Sequence, residues 1–314
     1  MAQDDKRMTI GWIGTGRMGF ALAQRLLEAD YDVSVYNRTR SKAEPLSAHG
    51  AKLVDSPAEL ADRDVVFTMV SASADLEAVT IGDDGLLTGS VTPQVIVDSS
   101  TVSAAVSTKI RSIANDHGTA FLAAPVSGSP KVVKSGKLAF VVSGPRDTFD
   151  QVEPLLHVLG QAATYVGDDE VARIVKICHN VFLGVVTQSM AEITVLAEKA
   201  GVDRAAFISF LTDSVMGSTF SRYKTPAFVN LDFTPSFTPI LLRKDFDLGL
   251  EAARELGVSM PVAALAAELV TITANTGHSA EDFATLLLEQ ARRSGLELTS
   301  EDVEVDDGLG TGDD

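Results

Sequence analysis

The sequence contains few of the residues that build disulfide frameworks or metal centres. Its 314 residues include one cysteine, Cys178, which excludes an intramolecular disulfide and fits a reducing compartment. We expect that thiol to be buried in an apolar helix. The five histidines are scattered without the spacing of metal ligands, and no Cys/His cluster suggests zinc. We therefore predict no bound metal.

Positive charge is also scarce. Lysine and arginine total 26 against 43 acidic residues, and the resulting net charge of −17 argues against binding to nucleic acid or to anionic membranes. An anionic ligand would need a local basic site. No apolar signal-peptide region precedes the first predicted strand, so we expect a cytoplasmic protein.

A long uncharged membrane span is missing as well. The longest nearly continuous apolar stretch runs from Val171 to Ala200, but its uncharged part is shorter than the about 20 residues that a bilayer requires. Its apolar residues recur at three- and four-residue steps, and the opposite side is apolar too, which predicts one long helix covered on both faces. The main stripe comprises Val171, Val175, Cys178, Phe182, Val185, Ile193, Leu196 and Ala200.

Two polar residues interrupt this helix. Lys176 and Asn180 are spaced i, i+4, so a cation and an amide project from the same side. The alternative for Lys176 is a surface lysine whose stem covers apolar neighbours. Asp168 or Asp169 is a plausible N-cap.

The N-terminal region carries a glycine loop between a predicted strand and a predicted helix. The apolar run Thr9 to Ile13 leads into Gly14-Thr15-Gly16-Arg17-Met18-Gly19 and then into a helical pattern. A G-x-G-x-x-G sequence in this setting makes a tight turn, lets the backbone approach a pyrophosphate and presents a helix N-terminus to it. We therefore predict a dinucleotide site.

The end of the second predicted strand bears on the choice of cofactor. An NAD-binding fold usually has an acid there for the ribose diol, but this chain has Asn37-Arg38-Thr39-Arg40. The absence of this carboxylate and the presence of two guanidiniums favour binding of a 2′-phosphate, so we predict NADP over NAD. The alternative is that Arg38 and Arg40 are solvated surface residues.

Strands and helices alternate through the first 167 residues, which predicts a doubly wound parallel sheet of the Rossmann type. Asp98-Ser99-Ser100-Thr101 closes one strand and places hydroxyls at the carboxyl edge of the sheet, although Ser100 or Thr101 could simply cap the next helix. Ser127-Gly128-Ser129-Pro130 follows a later strand. A Ser-Gly loop exposes backbone N–H groups that suit a carboxylate, but it also fits an ordinary turn.

The second half contains helical patterns only. We predict four parts: a dinucleotide-binding domain over 1–167, the long helix over 168–200, an all-α domain over 201–297, and a disordered acidic tail over 298–314. Asp203 is a candidate N-cap of the first helix in the all-α domain. A helix as apolar as 171–200 also suggests burial by a second subunit.

Four ordered motifs resemble those of the β-hydroxyacid dehydrogenases, the group of 3-hydroxyisobutyrate dehydrogenase and tartronate semialdehyde reductase. They are Gly14 to Gly19, Asp98 to Thr101, Pro125 to Gly128 and Lys176 to Asn180, and a later Phe237, Leu241, Lys244 and Asp245 extends the match. The resemblance implies an oxidoreductase that interconverts a small β-hydroxyacid and its carboxylated semialdehyde, as a homodimer or homotetramer.

The resemblance also implies roles for individual residues. Lys176 would be the catalytic acid/base, and because a free lysine has a pKa near 10.4, proton transfer at neutral pH requires burial or a second cation such as Lys244 to lower it. The substrate-binding set would be Ser100, Ser127, Gly128, Ser129, Asn180 and Lys244. The cofactor-binding set would be Gly14, Thr15, Gly16, Arg17, Met18, Gly19, Asn37, Arg38, Thr39, Met69, Val70, Thr101, Lys244 and Asp245.

The chain also departs from the family pattern. Ser129 and Pro130 replace the usual second glycine and the residue after it, which leaves the substrate open. Lys-x-x-His-Asn is similar to 6-phosphogluconate dehydrogenases, but Leu183 stands where those enzymes carry an acid, so decarboxylation is not expected. Imine reductases share the fold but commonly lack the lysine, and a dinucleotide-binding protein without turnover is the remaining alternative.

Overall fold

The computed structural model describes residues 7–310 of the chain. The chain divides into two compact units, Met1–Lys176 and Ile177–Asp314. The predicted boundary between residues 167 and 168 precedes this division, which falls inside the long helix.

The first unit is a sheet with helices between its strands. Its strands are β1 (Ile10–Ile13), β2 (Val33–Tyr36), β3 (Lys52–Leu53), β4 (Val65–Thr68), β5 (Val95–Asp98), β6 (Ala120–Ala123), β7 (Val126–Ser127), β8 (Ala139–Ser143) and β9 (Ala162–Gly167). Its helices are α1 (Arg17–Glu28), α2 (Ser73–Ile81), α3 (Ala104–Asp116), α4 (Pro130–Lys134) and α5 (Arg146–Leu159), with 3₁₀ turns at Arg40–Lys42, Glu44–His49 and Pro57–Leu60.

The strand order is β3-β2-β1-β4-β5-β6-β8-β7, with β9 beside β8. Strands β1 to β6 pair in parallel, whereas β8 runs antiparallel to β6 and β7. The chain leaves β1 towards β2 on one side and later returns to β4 on the other. This reversal opens a crevice at the carboxyl ends of β1 and β4, where doubly wound sheets bind their ligands.

Both faces of the sheet are covered, which explains why its strands read as continuous apolar runs. In β4, for example, Val65 and Phe67 belong to one core and Val66 to the other. Trp12 of β1 stacks on Phe67 with ring centroids 5.2 Å apart. The predicted Rossmann-type fold is confirmed.

One local prediction in this unit was wrong, and two short strands were not predicted. The cap of α3 is Ser103, whose side chain accepts a hydrogen bond from the N–H of Val106, rather than Ser100 or Thr101. The short strands β3 and β7 have too few residues for an alternating pattern to reveal them.

The second unit is helical, and no strand occurs among its residues 177–310. Helix α6 (Val171–Lys199) enters it from the first unit, and six helices follow: α7 (Arg204–Asp213), α8 (Thr219–Tyr223), α9 (Thr225–Asn230), α10 (Pro239–Glu255), α11 (Pro261–Thr273) and α12 (Leu286–Arg293). A π-helical turn at Ala274–His278 follows α11, and a 3₁₀ turn at Phe283–Thr285 precedes α12. Helix α10 begins at Pro239 because the side chain of Thr238 caps it and proline suits the first turn of a helix.

Among residues 7–310, helix α6 is covered on one side only, so the prediction that both its faces are covered was wrong. Val181, Met190 and Val195 are buried, but Phe182 and Leu196 of the predicted apolar stripe are 67% and 70% exposed. Cys178 lies on this exposed side, so the prediction that it is buried was wrong. By length and composition α6 could cross a membrane, and half of its most apolar window is buried inside the protein.

The predicted disorder of the tail was wrong for residues 298–310, and residues 311–314 lie outside the described part. The segment has no helix or strand, yet Leu298 and Val305 pack on the core beside α7 and α9. The carboxylate of Glu301 accepts hydrogen bonds from the backbone N–H groups of Arg204 and Ala205 at 2.7 and 2.9 Å. Asp203 occupies the N-cap position of α7 without using its side chain. An acidic residue of the tail therefore caps α7, which composition alone does not reveal.

A buried ion pair joins two loops of the second unit. Lys224 Nζ lies 2.5 Å from Asp282 Oδ1 and 4.3 Å from the ring centre of Phe283. The other oxygen of Asp282 accepts hydrogen bonds from the backbone N–H and the hydroxyl of Ser236. Burial lowers the pKa of Lys224, and the neighbouring Asp282 opposes that shift.

Candidate active site

The glycine loop of the first unit has the shape that a dinucleotide requires. Gly14 has a φ of +95°, and a Cβ there would lie 2.3 Å from the carbonyl oxygen of Met69. A Cβ on Gly19 would lie 2.0 Å from the carbonyl oxygen of Gly14, so α1 can approach β1 only with glycine at that position. A Cβ on Gly16 would meet nothing within 4 Å, which leaves the backbone beside that residue open.

Two side chains hold this loop in place. The indole N–H of Trp12 donates to the carbonyl oxygen of Gly14 at 3.0 Å, and Asn37 Oδ1 accepts from the N–H of Thr15 at 2.8 Å. Helix α1 begins at Arg17 with no acidic residue in its first turn and no side chain capping it. An open backbone beside an uncapped helix N-terminus suits a pyrophosphate. The residues present therefore fit a nicotinamide dinucleotide.

The end of β2 has the predicted residues, but each is already engaged. Asn37 Nδ2 donates to the carbonyl oxygen of Thr39 at 2.8 Å. Arg38 is largely exposed and pairs with Asp75 of α2 at 2.7 Å, and Arg40 pairs with Asp55. A 2′-phosphate at this position would compete with those carboxylates for the two guanidiniums.

The carboxyl ends of β4 and β5 bring together another group of predicted residues. Ser100 Oγ accepts a hydrogen bond from the N–H of Val70 at 2.9 Å. Met69 is in contact range of Gly14, and Thr101 follows Ser100 directly. The predicted cofactor residues 14–19, 37, 69 and 70 therefore lie at one edge of the sheet, with Ser100 beside them.

The Ser-Gly loop forms the start of a short helix. Gly128 has a φ of +144°, and a Cβ there would lie 2.8 Å from side-chain atoms of Leu138 and Val132. Ser129 caps α4 by accepting from the N–H of Val132 at 3.5 Å, and Pro130 fills the first position of that helix. The unusual Ser129-Pro130 pair thus has a structural role. A contact between Ser127, Gly128 or Ser129 and a substrate stays a prediction.

Lys176 lies in α6, one turn after Arg173, and it is partly buried. Arg173 Nη1 donates to the carbonyl oxygen of Ser100 at 3.0 Å, and its Nη2 lies 2.6 Å from Asp98 Oδ2. This contact attaches the turn before Lys176 to the end of β5. The predicted lysine and the predicted Ser100 are therefore linked through one intervening side chain.

The second unit assembles the remaining predicted residues. Asn180 is buried, and its Nδ2 donates to Asp245 Oδ2 at 2.6 Å. His179 Nδ1 lies 3.0 Å from Asn180 Oδ1. Lys244 Nζ is 3.8 Å from Asp245 Oδ1. Asp245 thus fixes the amide of Asn180, whereas its predicted contact with the cofactor stays a prediction.

The sequence predictions missed Arg173 and Asp75, and they named Asp98 only as part of a motif, without a role. Arg173 and Asp98 connect α6 to the sheet, and Asp75 is the partner of Arg38. Arg173 could have been noticed as a charge three residues before Lys176 on an otherwise apolar helix. Among residues 7–310, no group of three or more His, Cys, Asp or Glu side chains could hold a metal ion.

Comparison with known proteins covers nearly the whole chain. Residues 9–167 match the model for the NAD-binding domain of 6-phosphogluconate dehydrogenase, and residues 171–289 match that of NADP-dependent 3-hydroxyisobutyrate dehydrogenase. Glyoxylate/succinic semialdehyde reductase 2, a chloroplastic protein of Arabidopsis thaliana, is 33% identical over 281 residues, which cover 89% of this chain and 78% of that protein.

Solved structures agree with these matches. The 3-hydroxyisobutyrate dehydrogenase of Mycobacterium tuberculosis, solved with L-serine, is 28% identical, and the match covers 90% of this chain and 98% of that one with a TM-score of 0.78. The protein Psf3, solved with NADP⁺ and 2-OPP, is 25% identical over 90% of this chain and 99% of that one, with a TM-score of 0.79. Motifs, fold and relatives agree, and the chain belongs to the β-hydroxyacid dehydrogenase family as an NAD(P)-dependent oxidoreductase acting on CH–OH groups.

Proposed function

We propose that the enzyme interconverts a small β-hydroxyacid and its carboxylated semialdehyde, prefers NADP(H), and uses Lys176 as its acid/base. The observation that carries the proposal is the attachment of α6 to Ser100 through Arg173, at 3.0 Å. It ties the turn before Lys176 to the sheet edge that bears the glycine loop. A lysine is an unusual residue on so apolar a helix, and proton transfer at a carbonyl requires an acid/base group of this kind.

The proposed reaction divides the work between cofactor and protein. The bound cofactor supplies or accepts the hydride. During reduction the Lys176 ammonium donates a proton to the carbonyl oxygen and stabilises the charge that develops on it. In the reverse direction the neutral amine accepts the hydroxyl proton. Asn180, held by Asp245, orients the substrate, and Ser127 and Gly128 bind its carboxylate, with Lys244 as a further cation.

Preference for NADP(H) is supported by the end of β2. No carboxylate stands at Asn37, where an acid would bind the ribose diol of NAD, and Arg38 and Arg40 follow within three residues. The match to an NADP-dependent dehydrogenase model over 171–289 and the NADP⁺ bound to the relative Psf3 support the same choice.

A homo-oligomer is proposed from the exposed side of α6. Phe182, Ile193 and Leu196 expose 67%, 41% and 70% of their surface along one helix face. Exposed large apolar residues aligned in this way indicate an interface, and we assign it to a second copy of the chain. Light scattering on the wild type and on Phe182→Lys tests this, because a wild-type monomer would refute it.

We also propose a cytoplasmic location and no nucleic-acid or membrane partner. Imaging of the tagged protein in its host tests the location, and binding assays test the partners.

The decisive experiment is NADPH oxidation with a panel of aldehydes. Methylmalonate, tartronate and succinate semialdehydes and glyoxylate are compared with propanal and butanal, which lack the carboxylate, and each reaction is repeated with NADH. We expect turnover of at least one carboxylated aldehyde, little with the uncharged ones, and a higher kcat/KM with NADPH. A cyclic imine is assayed beside the aldehydes, and turnover of that imine alone would favour an imine reductase. Tight NADPH binding without any turnover would favour a non-catalytic role.

A further inference from the structure

A chain of buried charged groups runs through the first unit. Arg111 Nε and Arg173 Nε bind the two oxygens of Glu170 at 2.8 and 2.9 Å, and Arg173 Nη2 binds Asp98 Oδ2 at 2.6 Å. Asp98 has no exposed surface, and Arg173 exposes 3%. Burying four charges together is costly unless each has partners, so their arrangement is strongly determined.

One end of this chain reaches the predicted site. Asp98 Oδ1 accepts from Thr68 Oγ1 at 2.6 Å and from the N–H of Ser100 at 3.2 Å. Arg173 Nη1 donates to the carbonyl oxygen of the same Ser100, so both backbone groups of that residue are fixed by this pair. The side chain of Ser100 in turn fixes Val70.

The other end holds the start of α6. Asp169 has a φ of +54°, and its carbonyl oxygen accepts from Arg111 Nη2 at 2.6 Å and from Ser143 Oγ at 2.8 Å. The N–H of Ala172 donates to that same Ser143 hydroxyl at 3.1 Å. The first turn of α6 is therefore attached to the sheet on several sides. Lys176, three residues after Arg173, is the first site residue beyond this anchor.

We propose that Arg173 is a positioning residue that sets the register between Lys176 on α6 and Ser100 on the sheet; this inference rests on the proposed function. The guanidinium binds three acceptors at once through Nε, Nη1 and Nη2, namely Glu170, Ser100 and Asp98. A lysine at position 173 would keep the charge but could not span the three in one plane. A small displacement of α6 would then move the proton donor away from the reacting oxygen.

The test compares Arg173→Lys with Arg204→Lys in purified full-length enzyme. Arg204 is a matched control, because it is 1% exposed and bridges Glu198 and backbone carbonyls in the second unit without contacting a proposed site residue. We expect Arg173→Lys to lower kcat about 10- to 100-fold, to change the Kd of NADPH less than about 2-fold, and to raise the deuterium isotope effect on kcat with deuterated NADPH. Arg204→Lys should lower Tm but leave kcat and the isotope effect unchanged.

Equal losses of kcat in the two variants, or wild-type kcat and isotope effect in Arg173→Lys, would overturn the proposal. Asp98→Asn keeps the shape of the pair and replaces Arg173→Lys if that variant does not fold. A second measurement needs no substrate: the NMR resonance of isotopically methylated Lys176, assigned with Lys176→Arg, should move in Arg173→Lys and stay in Arg204→Lys. An unmoved resonance would overturn the positioning role of Arg173, whether or not an aldehyde is turned over. A lack of turnover would by itself refute only the proposed function.

Discussion

The two units bury ionic groups for different purposes. In the first unit, Arg173 and Asp98 meet at the end of β5 and bind both backbone groups of Ser100. In the second unit, Arg204 pairs with Glu198 and binds the carbonyl oxygens of Phe228 and Val229 near the end of α9. A buried ion pair is therefore not by itself a sign of a functional site. The two buried arginines differ in the backbone groups that their other N–H donors bind: those of Arg173 bind a predicted site residue, and those of Arg204 do not.

The difference follows from architecture. In the first unit, strands β1 to β6 satisfy one another's backbone groups, and the buried pair of Arg173 and Asp98 holds the backbone just beyond β5. No strand occurs among residues 177–310 of the second unit, so the buried N–H and C=O groups between its helices need side-chain partners. Asp282, for example, accepts from the N–H groups of Ser236 and Ala284 as well as from Lys224.

The largest expected effect tests this structural role of the second unit. Asp282→Ala should destabilise the protein by about 3–5 kcal/mol, because it leaves Lys224 charged and buried without its partner. Asp213→Ala removes a mostly exposed partner of Arg222 and should cost no more than about 1 kcal/mol. Urea unfolding of both variants measures the difference. A similar loss of unfolding free energy in the two variants would show that Lys224 and Asp282 do not stabilise each other as the structure indicates.

A smaller effect is expected at the tail. Glu301→Ala should cost about 1–2 kcal/mol, since the N–H groups of Arg204 and Ala205 would lose their cap. Glu304→Ala, at an exposed position of the same segment, is the control and should be near neutral. Hydrogen exchange at the first turn of α7 locates the effect. Unchanged exchange there in Glu301→Ala would mean that the tail does not cap α7.

The smallest effect concerns an exposed ion pair of the first unit. Asp75→Asn should tighten NADPH binding by up to about 5-fold, because it removes the carboxylate that competes for Arg38, and exposed pairs contribute about 0–1 kcal/mol. NADH binding should stay constant, and Glu77→Gln in the same helix serves as the control. Fluorescence titration measures the Kd of NADPH and of NADH for each variant. Equal gains for NADH and NADPH would rule out a contact between Arg38 and the 2′-phosphate.

The sequence patterns predicted features of the fold that depend on residues close together in the chain. The strands β1, β4 and β5 follow from apolar runs, and the Gly14–Gly19 loop follows from its spacing. The patterns could not show contacts between distant positions: Arg173 and Asp98 are 75 residues apart, and Glu301 caps a helix 97 residues earlier in the chain. Periodicity likewise revealed that α6 has an apolar stripe, but not that its exposed part includes Phe182 and Leu196.

The central claim is that Lys176 transfers the proton while the glycine loop holds the cofactor. The most direct measurement is single-turnover oxidation of enzyme-bound NADPH by the best aldehyde, in wild type and in Lys176→Ala, together with the Kd of NADPH for each. We predict a rate lowered about 10²- to 10⁴-fold in the variant, with a Kd within about 3-fold of wild type. A rate close to wild type in Lys176→Ala would contradict the assignment.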